Sequence, residues 1–151
     1  MNFSERLTVP LWWWPVGLAI GGIGAAEVHG GASGVLRSVV PYVVLPSLVL
    51  VGLALSGRPR VRLLDGVLHV PGARAPVTAF GRLETLDRDG VRRWLGPLAQ
   101  PHAFVAVRAW VPTAVRVAID DPGDDTPYWV VSTRRPAALV AAVEANRSVS
   151  P

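Results

Sequence analysis

The sequence predicts a membrane α+β protein, in which a two-helix transmembrane hairpin is followed by a small antiparallel split β-barrel and a C-terminal helix. Three observations predict it. Leu7 to Ala26 and Ser38 to Gly57 are each free of charged residues across 20 positions. From Arg60 the apolar residues alternate with polar ones, and Asp65-Gly66 and Pro71-Gly72 break the pattern. Near the end Leu139, Val140 and Val143 form an apolar stripe at helical spacing.

Two stretches of that length suit a bilayer. About 20 residues at about 1.5 Å rise match a hydrocarbon core of about 30 Å. The expected organisation is an N-terminal segment with two spans over residues 1–57 (about 7–26 and 38–57), a β domain over 58–147 and a tail over 148–151. Trp12, Trp13 and Trp14 mark an interface, where the ring is half-buried and the indole N–H stays wet. Pro10 and Pro15 suit the start of a helix. Pro46 removes a backbone donor and should bend the second span near Tyr42 to Pro46. Gly17, Gly21 and Ala25 stand four apart, which lets another helix approach closely. The partner is either the second span or a second copy of the chain, the latter giving a homo-oligomer through Gly17 and Gly21.

Charge placement orients the hairpin. Arg6 precedes the first span, Arg58, Arg60 and Arg62 follow the second, and the connecting loop has only Arg37. Positive residues favour the cytoplasmic side, so both termini and the β domain are expected there, in a multi-pass protein of the inner (plasma) membrane. A cleaved signal peptide fits poorly. Met1 to Arg6 is not net positive, proline and tryptophan interrupt the apolar run, and Ala25-Ala26-Glu27 is a poor cleavage site.

Composition agrees with a membrane segment beside a polar domain. Charged residues make up 17% of the chain, against about 25% in a typical soluble domain. Without cysteine there are no disulfides, thiolate metal sites or cysteine nucleophiles. All 15 basic residues are arginine, a usage typical of GC-rich genomes. The net charge is only +4 and acidic residues are interleaved, so nucleic acid is not an expected partner.

Within the β domain, Val61 and Leu63 alternate with Arg60 and Arg62, and Leu68 and Val70 with Val67 and His69. Asp65-Gly66 between them predicts a type I′ hairpin. Pro71-Gly72 ends the strand, and Val77 to Leu86 adds another. Arg88 to Leu95 reads as a short helix stopped by Gly96-Pro97. Phe104 to Trp110, Ala114 to Asp120 and Tyr128 to Ser132 read as strands, the last two separated by an acidic turn, 120–125. A final helix is expected over about Arg134 to Asn146, with Thr133 as its N-cap and Pro136 in its first turn.

Chemistry-bearing groups are sparse. Glu27, His29 and Arg37 form a candidate polar cluster at the loop between spans; helix termination explains them, and two ligands are too few for a metal. His69 and His102 have no adjacent nucleophile or acid. Asp120, Asp121, Asp124 and Asp125 lack the calcium-loop pattern with its closing Glu and read as a solvated turn. No phosphate loop or nucleophile elbow is present. No catalytic, metal or cofactor-binding residue is therefore assigned. Arg58, Arg60, Arg62, Arg134 and Arg135 are the candidate contacts to lipid or a partner. The Arg134-Arg135 pair sits at a helix N-terminus, where cations are unfavourable, so an acidic neighbour is expected.

Several segments carry a resemblance: Ser4-Glu5-Arg6-Leu7, Ala25-Ala26-Glu27-Val28-His29, Asp65-Gly66-Val67-Leu68 and, most clearly, Pro127 to Pro136 (PYWVVSTRRP). Over nearly the whole chain the sequence resembles an uncharacterised family of actinobacterial membrane proteins, domain-of-unknown-function family 3093. The strand pattern alone leaves open an unnamed α+β sheet with a covering helix; the final strand and helix, joined through Ser-Thr-Arg, resemble those of bacterial pleckstrin-homology domains, which supports the barrel. The resemblance implies no activity. The expected function is a membrane-anchored, non-enzymatic module whose β domain recruits a protein partner. The alternatives are recognition of anionic lipid headgroups and an accessory role in a lipid or cell-envelope enzyme complex.

Overall fold

Asp65 and Gly66 take φ angles of 49° and 72°, the two positive values that a type I′ turn requires. They fold β2 (Arg60–Leu64) back onto β3 (Val67–Val70) with Leu64 opposite Val67. Pro71-Gly72 makes a second tight turn, with Gly72 at φ 93°. It leads into β4 (Ala73–Pro76), a strand the sequence did not announce. Ala-Arg-Ala-Pro has no strong alternation, and its register comes from the turn before it. A more consequential strand is β1 (Phe3–Arg6), which pairs antiparallel with β2 and completes a sheet of order β1-β2-β3-β4.

The structure is a computed structural model that describes residues 2–30 and 34–148. It divides into two units. Thr8–Arg58 form the first, and the residues up to Leu7 with those from Pro59 form the second. The helical unit is thus inserted between two paired strands. The ladder runs to the junction, where the Leu7 N–H donates to the Pro59 carbonyl at 3.3 Å.

The helical unit holds α1 (Trp13–Gly30) and α2 (Val35–Ser56), each a few residues displaced from the uncharged stretches. They run antiparallel, since Gly17 meets Leu53 and Gly21 meets Pro46. Among the described residues the buried positions of α1 are Gly17, Gly21 and Ala25. A Cβ on Gly21 would lie 2.8 Å from the Pro46 Cα. The small residues therefore seat the second helix of the same chain. α2 continues through Pro41 and Pro46, and the Ser47 hydroxyl donates to the Val43 carbonyl at 2.6 Å. Among the described residues the outside of the hairpin is largely apolar: Leu11 is 86% and Trp12 62% exposed, with Ile20, Ile23, Val43, Leu48 and Val51 also exposed. Among the described residues one helix, α2 over Val39–Ser56, is long and apolar enough to cross a membrane by length and composition. α1 carries Glu27 and His29 in its last turns.

The second unit is α+β. A 3₁₀ turn at Val77–Ala79 leads into β5 (Phe80–Leu86), and α3 (Arg88–Leu95) follows. β6 (Phe104–Ala106), β7 (Ala114–Ile119) and β8 (Tyr128–Ser132) complete a second sheet of order β5-β7-β8-β6. This sheet is mixed, which corrects the expectation of an all-antiparallel barrel. β6 pairs parallel to β8 because residues 107–113 do not continue the strand. They cross the end of β8, where the Arg108 N–H donates to Ser132 Oγ and the Thr133 N–H to the Thr113 carbonyl.

The final helix, α4 (Pro136–Arg147), packs Leu139, Ala142 and Val143 into one core with Phe3, Val61, Leu63, Leu68, Val115, Val117 and Trp129. The inward faces of both sheets and α4 thus share a single interior. A smaller apolar cluster lies on the other side of the second sheet, where Val91 and Trp94 of α3 cover Leu86, Tyr128 and Val130. The second sheet is covered on both faces.

Candidate functional site

Two of the segments singled out in the sequence meet at one place. Alternation turns Phe3, Glu5 and Leu7 inward on and just after β1. Glu5 is therefore buried, at 7% exposure, beside the wholly buried Thr133. Its carboxylate accepts the Thr133 hydroxyl at 2.5 Å and the Arg134 N–H at 3.0 Å. Thr133 Oγ1 also accepts the Arg135 N–H at 3.1 Å. The N-cap position of α4 belongs to Arg135 rather than Thr133, whose hydroxyl instead links Glu5 to the helix entry. The Arg135 guanidinium donates to the Ser4 carbonyl at 3.2 Å and lies 5.2 Å from the Phe3 ring. The acidic neighbour expected for Arg134-Arg135 is Glu5, which engages Arg134 through its backbone and also meets the dipole at the helix start. Sequence alone missed this because β1 was not recognised, and Glu5 looked like a flanking charge.

Arg60 and Arg62 point outward from β2, and the ladder places others beside them. Arg6 pairs with Arg60; Ser4 faces Arg62, Arg62 faces His69 and His69 faces Arg74. All share the outer face of the first sheet, because residues two apart on a strand point the same way. The Arg60 pKa is lowered, first by the charge of Arg6, then by partial desolvation and by Arg62. Arginine stays charged regardless, so the shift records like-charge crowding. The ion pairs found among the described residues, Arg92–Asp89 and Arg116–Glu84, lie elsewhere. Arg58 is exposed, in the first unit.

A third arrangement had no signal beyond an arginine amid the valines of β7. The Arg116 guanidinium lies 4.0 Å from the Trp94 ring centroid and 4.9 Å from that of Tyr128, with Glu84 at 3.7 Å. The Gln100 N–H donates to the Tyr128 hydroxyl at 3.0 Å. These contacts hold α3 and the following loop onto the second sheet.

The remaining candidates stay apart. Glu27 is exposed and His29 packs edge-on against Tyr42 at 5.9 Å; the Arg37 side chain lies outside the described residues. In the acidic turn, Asp121 and Asp124 accept the N–H groups of Gly123 and Thr126. Bonds from Thr126, side chain first, hold the Asp124 carboxyl below its ordinary pKa. Among the described residues no three potential metal ligands cluster.

The family "Protein of unknown function (DUF3093)" matches residues 2–143. The chain belongs to this family. The match spans the inserted hairpin and both strands that flank it, so the DUF3093 unit includes β1 as well as the domain that follows the helices. No curated protein and no solved structure matches the chain.

Proposed function

We propose that this DUF3093 protein is a non-enzymatic membrane anchor and recruitment module. In this reading α1 and α2 cross the plasma membrane as a hairpin. The second unit is a pleckstrin-homology-like domain on the cytoplasmic side, where it recruits a protein partner. The observation that carries the reading is the insertion of a helical pair with an apolar exterior between two hydrogen-bonded strands.

The physical argument has two parts. In water, exposed side chains such as Leu11, Ile20, Ile23, Val43, Leu48 and Val51 would be left unburied, whereas hydrocarbon solvates them, and a seam of small residues is how helices associate in lipid. The β1–β2 ladder then restricts topology. Leu7 and Pro59 are bonded to each other, so the chain must return to the side it left. If α2 crosses the bilayer, α1 must cross it too. The arginines near both junctions favour the cytoplasm as that side.

The pleckstrin-homology-like reading rests on two sheets sharing a core closed by a C-terminal helix. The non-enzymatic reading rests on conspicuous polar groups being used internally, the buried Glu5 at the helix entry and the half-buried Arg116 against two aromatic rings. Arginine usage supports an actinobacterial source.

Reporter fusions test the anchor. A fluorescent protein at the C-terminus should glow, and a periplasm-dependent phosphatase should be silent there but active when inserted near position 33. The reverse pattern refutes the orientation. Recruitment is tested by purifying the intact protein in several mild detergents; repeated isolation with no stoichiometric partner refutes it.

A further inference from the structure

The two sheets differ in what covers them. The second is packed on both faces, by the shared core and by α3 with Trp94. The first buries only its inward face, and its outward face is made of rows fixed by the register. Next to the junction lies Arg6 with Arg60; then comes Ser4, Arg62, His69, Arg74; at the far end comes Leu64, Val67, Pro76. The cations occupy the junction half of the sheet, and the Asp65-Gly66 turn lies at the opposite end. No acidic residue belongs to any of these rows. Arg135, bonded to the Ser4 carbonyl, extends the cationic surface along the β1 edge. Mutual repulsion lowers the Arg60 pKa, so the folded chain maintains a charge cluster that an anion would relieve.

We infer that this outer face, through Arg6, Arg60, Arg62, His69 and Arg74, rests on the anionic headgroups of the cytoplasmic leaflet.

The inference rests on the anchored reading and adds the surface and its ligand. Charge complementarity supplies the attraction, and chain length supplies the proximity. Arg60 follows Arg58 by two residues and Arg6 precedes Thr8 by two, so each lies within about 7 Å of contour from the helical unit. Outward cations set side by side on neighbouring strands suit an extended charged surface. Each cation near such a surface is favoured about fivefold.

The chain has no cysteine, so single labels can be introduced without background. The intact protein carrying S4C, D125C or V51C, each with a nitroxide, would be placed in nanodiscs of phosphatidylglycerol or of phosphatidylcholine. Collision with a neutral, water-soluble nickel chelate is then measured. Ser4 lies in the cationic row without bearing charge, Asp125 lies in a distant exposed turn, and Val51 lies on the exposed side of α2. The expected result is a collision rate at S4C about fivefold lower in the anionic discs, the bias of a single arginine, with D125C unchanged. The difference should vanish in R60Q/R62Q/R74Q and shrink in 1 M salt, where the screening length is about 3 Å. A V51C label shielded in both discs, with S4C indifferent to lipid charge, overturns the headgroup contact alone. A V51C label open to the chelate overturns the anchored reading and this inference with it.

Discussion

Replacing Glu5 by alanine tests whether β1 is locked to the helix entry or merely lies beside it. The carboxylate accepts two hydrogen bonds, and one donor belongs to a wholly buried residue, Thr133. Bonds to a charged acceptor contribute about 1.5–3 kcal/mol each. Their sum overstates the loss, because Glu5→Ala also removes a carboxylate that was costly to bury. A net destabilisation of about 2–4 kcal/mol remains. For a unit of roughly 100 residues each kcal/mol moves the midpoint by about 4–8 °C, so melting should fall by at least about 8 °C. Thermal unfolding in detergent, followed by near-ultraviolet circular dichroism, measures this. Amide exchange should accelerate in residues 3–6 and 60–63 ahead of the second sheet. Glu5→Gln retains an acceptor for the Arg134 N–H and should recover about half the loss. A Glu5→Ala protein within about 0.5 kcal/mol of the parent, the range of an ordinary surface change, with unaltered exchange in β1, would refute the lock.

Other expectations follow from single contacts. Gly21→Ala must push a Cβ against the Pro46 backbone and should cost about 1–3 kcal/mol in detergent unfolding, whereas Gly22→Ala, with nothing within 4 Å, should be close to neutral. Tyr128→Phe leaves the Gln100 N–H without its acceptor and should cost about 1 kcal/mol, read by chemical denaturation. Thr126→Val should move the Asp124 titration upward toward the ordinary carboxylate range, as carboxyl carbon NMR would detect. That bond helps the turn above the unfolded-state pKa, and its help is lost as pH falls through the lower, folded value. Changing Arg58, Arg60 and Arg62 together to alanine should produce a measurable fraction of inverted molecules in the reporter assay, since arginine placement sets the orientation.

Local chemistry made much of this fold legible. Asp65-Gly66 fixed a turn type and with it the β2–β3 register. Gly96-Pro97 after Leu95 announced the end of α3, whereas its start is set by a cap the structure reveals, the Asp87 carboxylate accepting the Gly90 N–H at 2.7 Å. The spacing of Gly17, Gly21 and Ala25 announced a close helix contact, though not which of two partners would fill it. What was hidden depended on distance in the chain. Phe3-Ser4-Glu5-Arg6 is too short to alternate convincingly, and its partner follows the entire hairpin. β6 ends at Ala106, short of the expected Trp110, because the apolar character from Val105 to Trp110 continues after the chain has turned across β8. The cationic face was half visible. Arg60 and Arg62 were evident as residues after a span, but Arg6, His69 and Arg74 join them only through the register. Arg116 was invisible as a contact because its aromatic neighbours come from α3 and β8.

The order in which these strands are made differs from the order in which they join. β1 leaves the ribosome first, yet its partner β2 is synthesised only after both helices, and Thr133, which holds Glu5, lies 128 positions along the chain. If the hairpin spans a bilayer, β1 waits on one side while the helices insert, and closes the sheet only when β2 emerges on that same side. A hairpin inserted with one crossing too few would strand the two partners across the membrane, leaving the β2 edge bare and Thr133 without Glu5. The last step of folding would then act as an inspection of the first step of insertion. Molecules that fail it would carry an open sheet edge and an unfilled helix entry, which quality-control proteases can read.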